Sequence, residues 1–494
     1  MQTIANLLPE LLLCGAILLV LVLEMVAGKR HPRSVTGLAV MALLFVSWIS
    51  VRRAVPGIDL PFVGEMQRPD FLTTMVRILA SIGGILALTA STGSREMEEY
   101  GRPGEFAVLV LGLVLGAMLF ASATNLVSLY IGLEFLSLVA YPLSGLRAHS
   151  KASSEAGLKY VLFGGVASAL MLFGMSHLFG LTGSLDLSVI GQNLAKLPAT
   201  PVLCVPLVLV GAGFAYKLAL VPFHFWSPDV YQGCPTVTAG LLTTVPKIAG
   251  FAGLWHAIRL VFGVPGSHFL STTTMGTALA TVAVVTMLVG ALTALSQTDA
   301  KRILAFSSVS NAGILLLTVG AWDEPASAAA LYFYLTAYLF ANLGAFLALD
   351  LLQNDGTGTS LSELAGSWKR HPIAVLALVV CVLSLTGLPP LAGFLGKWNL
   401  LRAVLDSAMQ DSGRWMFKWA SIGVVASSVI LAFAYLRIVR AAAVAVQDRE
   451  ESAGLDSYVP SGESPWALIV CTAASIVLGF GWPLIAFLGR WFSL

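Results

Sequence analysis

Four charged residues lie inside otherwise apolar stretches of this sequence, and their chemistry suits the movement of an ion. Glu134 lies near the middle of LVSLYIGLEFLSLVAY, and Lys217, Lys247 and Lys397 lie in three later apolar stretches. A lysine at the centre of a membrane helix costs about 3 kcal/mol even on a lenient scale, so these side chains must face protein or water. Burial favours the neutral amine, whereas a nearby carboxylate favours the ammonium ion. A carboxylate that moves can therefore make a lysine hold or release a proton, and Glu134 with Lys217 is the predicted pair.

Three further titratable residues leave alternatives open. Lys159 follows Glu155 by four residues near the start of its apolar stretch, which fits a helix-surface ion pair or a snorkelling side chain as well as a relay. His224 lies between two prolines, and because histidine titrates near neutrality it is either a relay or a structural residue. Arg77 is close to the start of its apolar stretch, so we predict that it anchors a helix end.

The bulk composition assigns the chain to the integral membrane proteins. Of its 494 residues, 57% are hydrophobic and 11% are charged, whereas a soluble domain is about 25% charged. Apolar stretches of about 20 residues, enough to cross a bilayer core of about 30 Å, recur along the whole chain. Helices are expected because a lipid-exposed backbone must satisfy its own hydrogen bonds. We predict one all-α integral membrane domain over 1–494 with about fourteen transmembrane helices.

Two segments rich in proline and glycine interrupt the stretches that carry lysines. One is GAGFAYKLALVPFHFWSPDVYQG, which contains Lys217, and the other is LTGLPPLAGFLGKW, which contains Lys397. Proline removes an amide donor and clashes with the preceding turn, so both helices should be broken. Broken helices at membrane depth line cavities, and transporters with inverted repeats place one in each half. We predict two inverted repeats, about 104–262 and about 273–441, each containing a broken helix.

Charge and cysteine usage exclude several classes of function. The net charge is +2 and no basic tract is present, which argues against nucleic-acid binding. The five cysteines form no CxxC pair and most lie in apolar stretches, so we predict neither a metal site nor an iron–sulfur cluster. Loops that follow odd-numbered spans carry more lysine and arginine than loops on the other side. This bias predicts that both termini lie outside the cytoplasm.

Six stretches resemble one known family. They are IGLEFLSLVAY, EAGLKYVLFGGVASALMLFGM, KLALVPFHFWSPDVYQGCPT, VPKIAGF, KRILAFSSVSNAG and LTGLPPLAGFLGKW. Together they resemble the antiporter-like membrane subunits of respiratory complex I, the NADH–quinone oxidoreductase, over nearly the whole chain. EAGLKYVLFGG and PFHFWSPDVYQG are most similar to subunit N, the counterpart of mitochondrial subunit 2. Asn311 departs from the family, which often has histidine at this position, so a histidine relay there is in doubt.

The resemblance implies a proton channel in a bacterial inner-membrane complex, with no cofactor or metal of its own. NADH oxidation, FMN, the iron–sulfur clusters and quinone reduction would belong to partner subunits. Carried over by motif position, Glu134 would modulate Lys217, Lys247 would pass the proton along a central axis, and Lys397 would stand near the periplasmic exit. Lys159 would bridge toward a neighbouring subunit. The implied partners are the antiporter-like subunit M, the small subunits J and K, and the lateral helix of subunit L.

Other functions stay open beside proton translocation in complex I subunit N. Subunit M and the Mrp-type cation/proton antiporters share several of the same motifs, so either is an alternative. An inert scaffold in the same membrane arm is a third reading, and buried lysines in broken helices argue against it.

Overall fold

The computed structural model describes residues 7–27, 32–53, 71–147, 149–197, 201–263, 272–353, 358–410, 412–443 and 465–481, and within these ranges the fold is helical without named strands. The helices of the first half are α1 (Leu8–Ala27), α2 (Pro32–Arg53), α3 (Phe71–Ser91), α4 (Arg95–Tyr100), α5 (Pro103–Ala121), α6 (Leu126–Ser144), α7 (Lys151–Thr182), α8 (Leu187–Leu194), α9 (Cys204–Leu218), α10 (Trp226–Gly233) and α11 (Thr236–Phe262). Those of the second half are α12 (Thr272–Ser296), α13 (Ala300–Gly320), α14 (Pro325–Gln353), α15 (Ser367–Arg370), α16 (Pro372–Thr386), α17 (Ala392–Gln410), α18 (Trp415–Ala443) and α19 (Trp466–Val477).

The chain is a multi-pass membrane protein, as its composition predicted. Within the described residues, eleven helices are long and apolar enough to cross a bilayer, and three shorter apolar segments, Cys204–Leu218, Pro372–Thr386 and Trp466–Phe480, accompany them. The all-α membrane fold is therefore confirmed, while fourteen as the number of complete crossings stays a prediction. The first six and last thirteen residues lie outside the described ranges, so the predicted side of the termini also stays a prediction.

Three helices form the centre of the bundle. All residues in the apolar windows of α11 and α13 are buried, as are 89% of those in α14, whereas α1, α2, α12 and α18 bury less than half. The buried helix α11 has the lowest mean hydropathy of the long helices, 1.3. It can be less apolar because its threonines and Lys247 contact protein instead of lipid.

Close packing of glycines fixes the helix that carries Glu134. A Cβ added to Gly132 of α6 would lie 2.6 Å from the backbone of Phe120 in α5. A Cβ added to Gly116 of α5 would lie 2.7 Å from the backbone of Leu136 in α6. Small residues let membrane helices approach closely enough for dispersion forces to hold them. The position of Glu134 is thus set by the contact between α5 and α6.

Both predicted helix breaks are present. Helix α9 ends at Leu218, the next residue Ala219 is in the left-handed region (φ 57°), and α10 begins at Trp226. Helix α16 ends at Thr386, the next residue Gly387 is also left-handed (φ 89°), and α17 begins at Ala392. In each case a proline, Pro222 or Pro390, follows three residues after the left-handed position and prevents the helix from continuing. The two lysine-bearing segments therefore have the same local backbone plan.

A second pair of matching features supports the predicted division into repeats. Asn125 caps the start of α6 and forms an isolated bridge with Asp186. Asp299 caps the start of α13 and forms an isolated bridge with Ser360, at the same separation along the chain. Helices α6 and α13 therefore begin in equivalent local structures. The repeat boundaries themselves, near 104–262 and 273–441, remain a prediction.

Arg77 has a different role from the predicted helix-end anchor. Its guanidinium Nε donates a 2.9 Å hydrogen bond to Oε1 of Glu10, and both side chains are almost fully buried. The pair joins α3 to α1 across 67 residues of sequence. Each charge offsets part of the cost of burying the other away from water.

We expect the Arg77→Met substitution to lower the free energy of unfolding by about 3–5 kcal/mol, because it leaves the Glu10 carboxylate buried without its cation. Thermal unfolding of the detergent-solubilised protein measures this change. The double variant Arg77→Met/Glu10→Met removes both charges and should recover most of the lost stability. Equal destabilisation in the single and double variants would contradict the ion-pair interpretation.

Candidate functional site

Lys217 lies at the end of the first half of a broken helix. It occupies the last turn of α9, is 1% exposed, and donates a 3.0 Å hydrogen bond from Nζ to Oγ of Ser137 in α6. The unpaired carbonyls of a helix C-terminus carry partial negative charge, which favours an ammonium ion in the last turn. The break after Leu218 therefore stabilises the lysine that precedes it.

Glu134 lies near Lys217, and the predicted modulation of that lysine by the carboxylate stays a prediction. The carboxylate of Glu134 is partly buried and accepts a hydrogen bond from Oγ of Ser168 in α7. Ser137, which contacts Lys217, follows Glu134 by one helical turn on α6. The two charges interact electrostatically while a serine occupies the direct contact. Such an arrangement leaves room for the carboxylate to approach or withdraw.

Lys247 lies at the centre of the bundle. It is 1% exposed on α11 and donates hydrogen bonds from Nζ to both the backbone oxygen (2.7 Å) and the hydroxyl of Ser308 in α13. The stem of Lys217 packs 3.9 Å from the position of a Cβ on Gly250, one turn further along α11. Lys217 therefore packs against α11 within one turn of the position of Lys247.

Lys397 closes the end of the other broken helix. Its Nζ donates hydrogen bonds to the backbone oxygens of Leu385 (2.8 Å) and Thr386 (3.0 Å), the last residues of α16, and to Oγ of Ser428 (3.0 Å). A Cβ at Gly387 would lie 3.0 Å from the Lys397 side chain, so the glycine serves both the left-handed turn and the lysine. The ammonium ion satisfies carbonyls that the break leaves without amide donors.

Lys159 and His224 lie in different surroundings. Lys159 is about one-third exposed and pairs with Glu155 and with Asp229, each at 2.7 Å, so the structure favours the ion-pair alternative. His224 is buried in the break between α9 and α10, and its Nδ1 has no hydrogen-bond partner among the described residues. A relay role for either residue stays a prediction.

A cluster of charges that the sequence reasoning did not single out surrounds Asp229. The Asp229 carboxylate accepts hydrogen bonds from Lys159 (2.7 Å) and from Arg302 of α13 (2.8 Å), and so links α7 and α10 to the second half. Lys301 is buried and donates to the backbone oxygen of Cys234 at 2.6 Å. These side chains line a cavity of about 520 Å³. The sequence did contain one signal for this cluster, because Asp229 is an acidic residue within the proline-rich segment that breaks the helix.

Glu96 of α4 lines the same cavity and contacts the first residue of α11. Its Oε2 accepts a 2.6 Å hydrogen bond from the backbone amide of Thr236, the first residue of α11, and its Oε1 accepts one from Arg147. Burial opposes ionisation of Glu96. The charge of Lys301, the bonds from Thr236 and the charge of Arg147 outweigh it and hold the carboxyl pKa below its ordinary value of 4.5. A carboxylate at a helix N-terminus is also stabilised by the helix dipole.

The described residues contain no group of three or more histidine, cysteine or acidic side chains placed to hold a metal ion. The three buried lysines lie instead among hydroxyls and backbone carbonyls. Hydroxyls and carbonyls of this kind accept hydrogen bonds from an ammonium ion without fixing its proton as a carboxylate would. The arrangement suits proton transfer between titratable groups.

Comparison with known proteins gives three consistent results. The family model described as "NADH:quinone oxidoreductase/Mrp antiporter, TM" matches residues 123–443. A subunit N of NADH-quinone oxidoreductase from Anaeromyxobacter sp. (strain Fw109-5) is 36% identical over 459 residues, covering 88% of this chain and 86% of the relative. Among solved structures, respiratory complex I from Thermus thermophilus with bound aureothin contains a chain with a TM-score of 0.75 and 29% identity, with 96% of each chain covered.

A second solved structure is similar in fold alone. The Mrp complex from Dietzia sp. DQ12-45-1b contains a chain with a TM-score of 0.78 at 20% identity, covering 99% of this chain and 97% of that chain. The same backbone arrangement therefore occurs in both kinds of complex that the family model names.

We expect the Glu96→Gln substitution to lower the free energy of unfolding by about 2 kcal/mol at neutral pH, because it weakens charge-assisted bonds to Thr236 and Arg147. The carboxyl pKa is lower in the folded than in the unfolded protein. Its stabilisation is therefore fully present above about pH 4.5 and is lost as the pH falls through the lowered pKa.

Thermal unfolding of the detergent-solubilised protein at about pH 7 and about pH 3 tests this expectation, since the difference between natural protein and variant should shrink at the acid pH. Glu98→Gln, in the same helix but with an exposed side chain, is the matched control. A difference between natural protein and Glu96→Gln that is unchanged at acid pH would contradict the assigned charge interaction.

Proposed function

The chain belongs to the family of antiporter-like membrane subunits of NADH:quinone oxidoreductases and Mrp antiporters, and on that premise we propose that it translocates protons as the subunit N of a respiratory NADH–quinone oxidoreductase. The observation that carries the proposal is a set of three lysines, each at most 5% exposed, whose hydrogen bonds among the described residues go to hydroxyls and backbone oxygens. Lys217 and Lys397 both border a helix break. Such residues are expensive to bury and mark ion pathways in membrane proteins.

Two opposing effects act on the charge of each lysine. Burial favours the amine, while hydroxyls, helix C-terminal carbonyls and Glu134 favour the ammonium ion. Movement of the Glu134 carboxylate toward Lys217 favours proton uptake by that lysine, and withdrawal favours release to the next group. Lys247 and Lys397 then take the proton in turn, which gives the order Glu134, Lys217, Lys247, Lys397.

The charged cavity beside α10 is the proposed place of proton uptake. It lies at the end of the bundle that the lysine and arginine bias predicts to face the cytoplasm. Glu96, Asp229 and Glu155 line it together with four cations, so it is polar and able to hold water. His224 and Lys159 lie on the segments that border this region and are proposed as secondary relays.

NADH oxidation and quinone reduction are proposed to take place in partner subunits, with FMN and iron–sulfur clusters. The antiporter-like subunit M, the small subunits J and K, and the lateral helix of subunit L are the proposed neighbours. The chain itself would then contribute proton transfer and no redox step.

We expect the Lys217→Ala substitution to leave assembly of the complex intact and to reduce NADH-driven proton uptake into inverted membrane vesicles by at least about tenfold, because a proton-transfer group is removed. Quenching of a pH-sensitive acridine dye measures uptake. Lys418→Ala, which removes an exposed lysine near the start of α18, is the matched control and should pump normally. Normal uptake in an assembled Lys217→Ala complex would overturn the proposal.

A cation/proton antiporter of the Mrp type is the second candidate, favoured by the fold similarity to an Mrp complex chain. Purification from native membranes distinguishes the two. The proposed function predicts that this chain travels with hydrophilic subunits that contain iron–sulfur clusters. Isolation in a complex without such subunits, together with sodium-dependent proton exchange, would favour the antiporter.

A further inference from the structure

Three buried tyrosines have contacts that lead from the surroundings of Lys247 to those of Lys397. Tyr334 and Tyr338 are on α14 and Tyr435 is on α18, and each is about 1% exposed. The Tyr334 hydroxyl contacts α13 and the Tyr338 hydroxyl contacts α11, the helix that carries Lys247. Buried tyrosine hydroxyls ordinarily find polar partners. Those partners here connect the group to both lysines.

The contacts on the Lys247 side begin at Ser308. Lys247 donates to the Ser308 hydroxyl and backbone oxygen, and the Tyr338 hydroxyl lies beside the same Ser308 side chain. The Tyr338 hydroxyl is also 3.3 Å from the backbone oxygen of Thr243, one turn before Lys247 on α11. A single residue, Ser308, thus lies between the Tyr338 hydroxyl and the Lys247 ammonium group.

The contacts on the Lys397 side involve α13 and α18. Tyr334 donates a 2.7 Å hydrogen bond to Oδ1 of Asn311, and its ring packs against Gly396, the residue before Lys397. The Tyr435 hydroxyl lies beside Asn311 and Ser307 without completing a hydrogen bond to either.

Helix α18 also presents Ser428, the hydroxyl that accepts from Lys397 at 3.0 Å. Ser428 precedes Tyr435 by two helical turns, which places both side chains on one face of the helix.

We propose that Tyr334, Tyr338 and Tyr435, the tyrosine bridge, carry protons between Lys247 and Lys397. This inference rests on the proposed function and adds the path between its last two lysines. Each hydroxyl oxygen accepts a proton from one side while its own O–H proton leaves on the other. Lys247 changes from ammonium to amine, Lys397 changes from amine to ammonium, and no tyrosine changes its net charge.

Asn311 is a positioning residue for the bridge. Its side-chain oxygen holds the Tyr334 hydroxyl, and its Nδ2 donates a 3.0 Å hydrogen bond to the backbone oxygen of Ser307. An amide has no ready proton to release, so the proposed transfer runs through the hydroxyls and requires water molecules as links between them. Asn311 fixes the distance between α13 and α14 across which this transfer takes place.

The experiment compares three variants in the assembled complex in inverted membrane vesicles. Tyr435→Phe and Tyr334→Phe each remove one oxygen and keep the packed ring. Tyr332→Phe removes the same atom from another buried tyrosine of α14 and is the matched control. We expect NADH-driven proton uptake to fall by about tenfold in the first two and to stay normal in the third. In Tyr435→Phe and Tyr334→Phe, replacing H₂O by D₂O should slow proton uptake by a larger factor than in the natural protein. Proton transfer would limit the rate of uptake in these two variants.

The outcomes separate this inference from the function on which it rests. Lys247→Ala is measured in parallel, and normal uptake in that variant would overturn the proposed function itself. Loss in Lys247→Ala with normal uptake in Tyr435→Phe and Tyr334→Phe would overturn the bridge alone. Equal loss in Tyr332→Phe would overturn it too, because the effect would then be one of packing. Tyr334→Phe decides the matter if Tyr435→Phe does not assemble.

Discussion

An ammonium ion away from water needs compensating charge or dipoles, and the rest of this structure is organised around that need. Burial of an isolated cation costs several kcal/mol. The chain does not meet the cost by pairing each lysine with a carboxylate, since a tight ion pair would fix the proton on the lysine. It uses serine hydroxyls and the carbonyls that a broken helix leaves free. These weaker partners hold the lysine in place and still allow it to lose its proton.

The helix breaks are therefore part of the chemistry as well as of the fold. Helix α16 must stop at Gly387 for the oxygens of Leu385 and Thr386 to become available to Lys397. A continuous helix would commit those oxygens to amides of the next turn. The central position of α11 and α13 has a related origin, because helices rich in hydroxyls and lysine are excluded from lipid.

Much of this could be predicted from the sequence. Charged residues in apolar stretches identified Lys217, Lys247 and Lys397, and prolines located both breaks, because each signal is local. Contacts between helices far apart in sequence were not accessible in the same way. The sequence predicted Glu134 as the charge that modulates Lys217, but it did not single out Ser137, the hydroxyl that contacts this lysine. It gave Lys159 one local partner, whereas Asp229 is a second one, 70 residues away.

Arg77 shows the same limit. Its place near the start of an apolar stretch indicated an anchor, because sequence position alone cannot reveal that Glu10, on another helix, faces it. The tyrosine bridge was missed for a different reason. Tyrosine is a common residue in buried helices and carries no charge, so Tyr334, Tyr338 and Tyr435 are indistinguishable from packing residues until their hydroxyls are located.

The matching local structures of the two halves suggest how one architecture came to hold different groups. Asp229 and Lys397 stand at the same distance after Pro222 and Pro390, so the first half has a carboxylate where the second has an ammonium ion. Glu134 stands as far after the cap of α6 as Ser308 does after the cap of α13. At the position equivalent to Glu134, the second half thus has a neutral hydroxyl, which accepts a hydrogen bond from Lys247. In the proposed order of transfer, this asymmetry places the carboxylate that modulates a lysine at the start of the path and neutral hydroxyls after it.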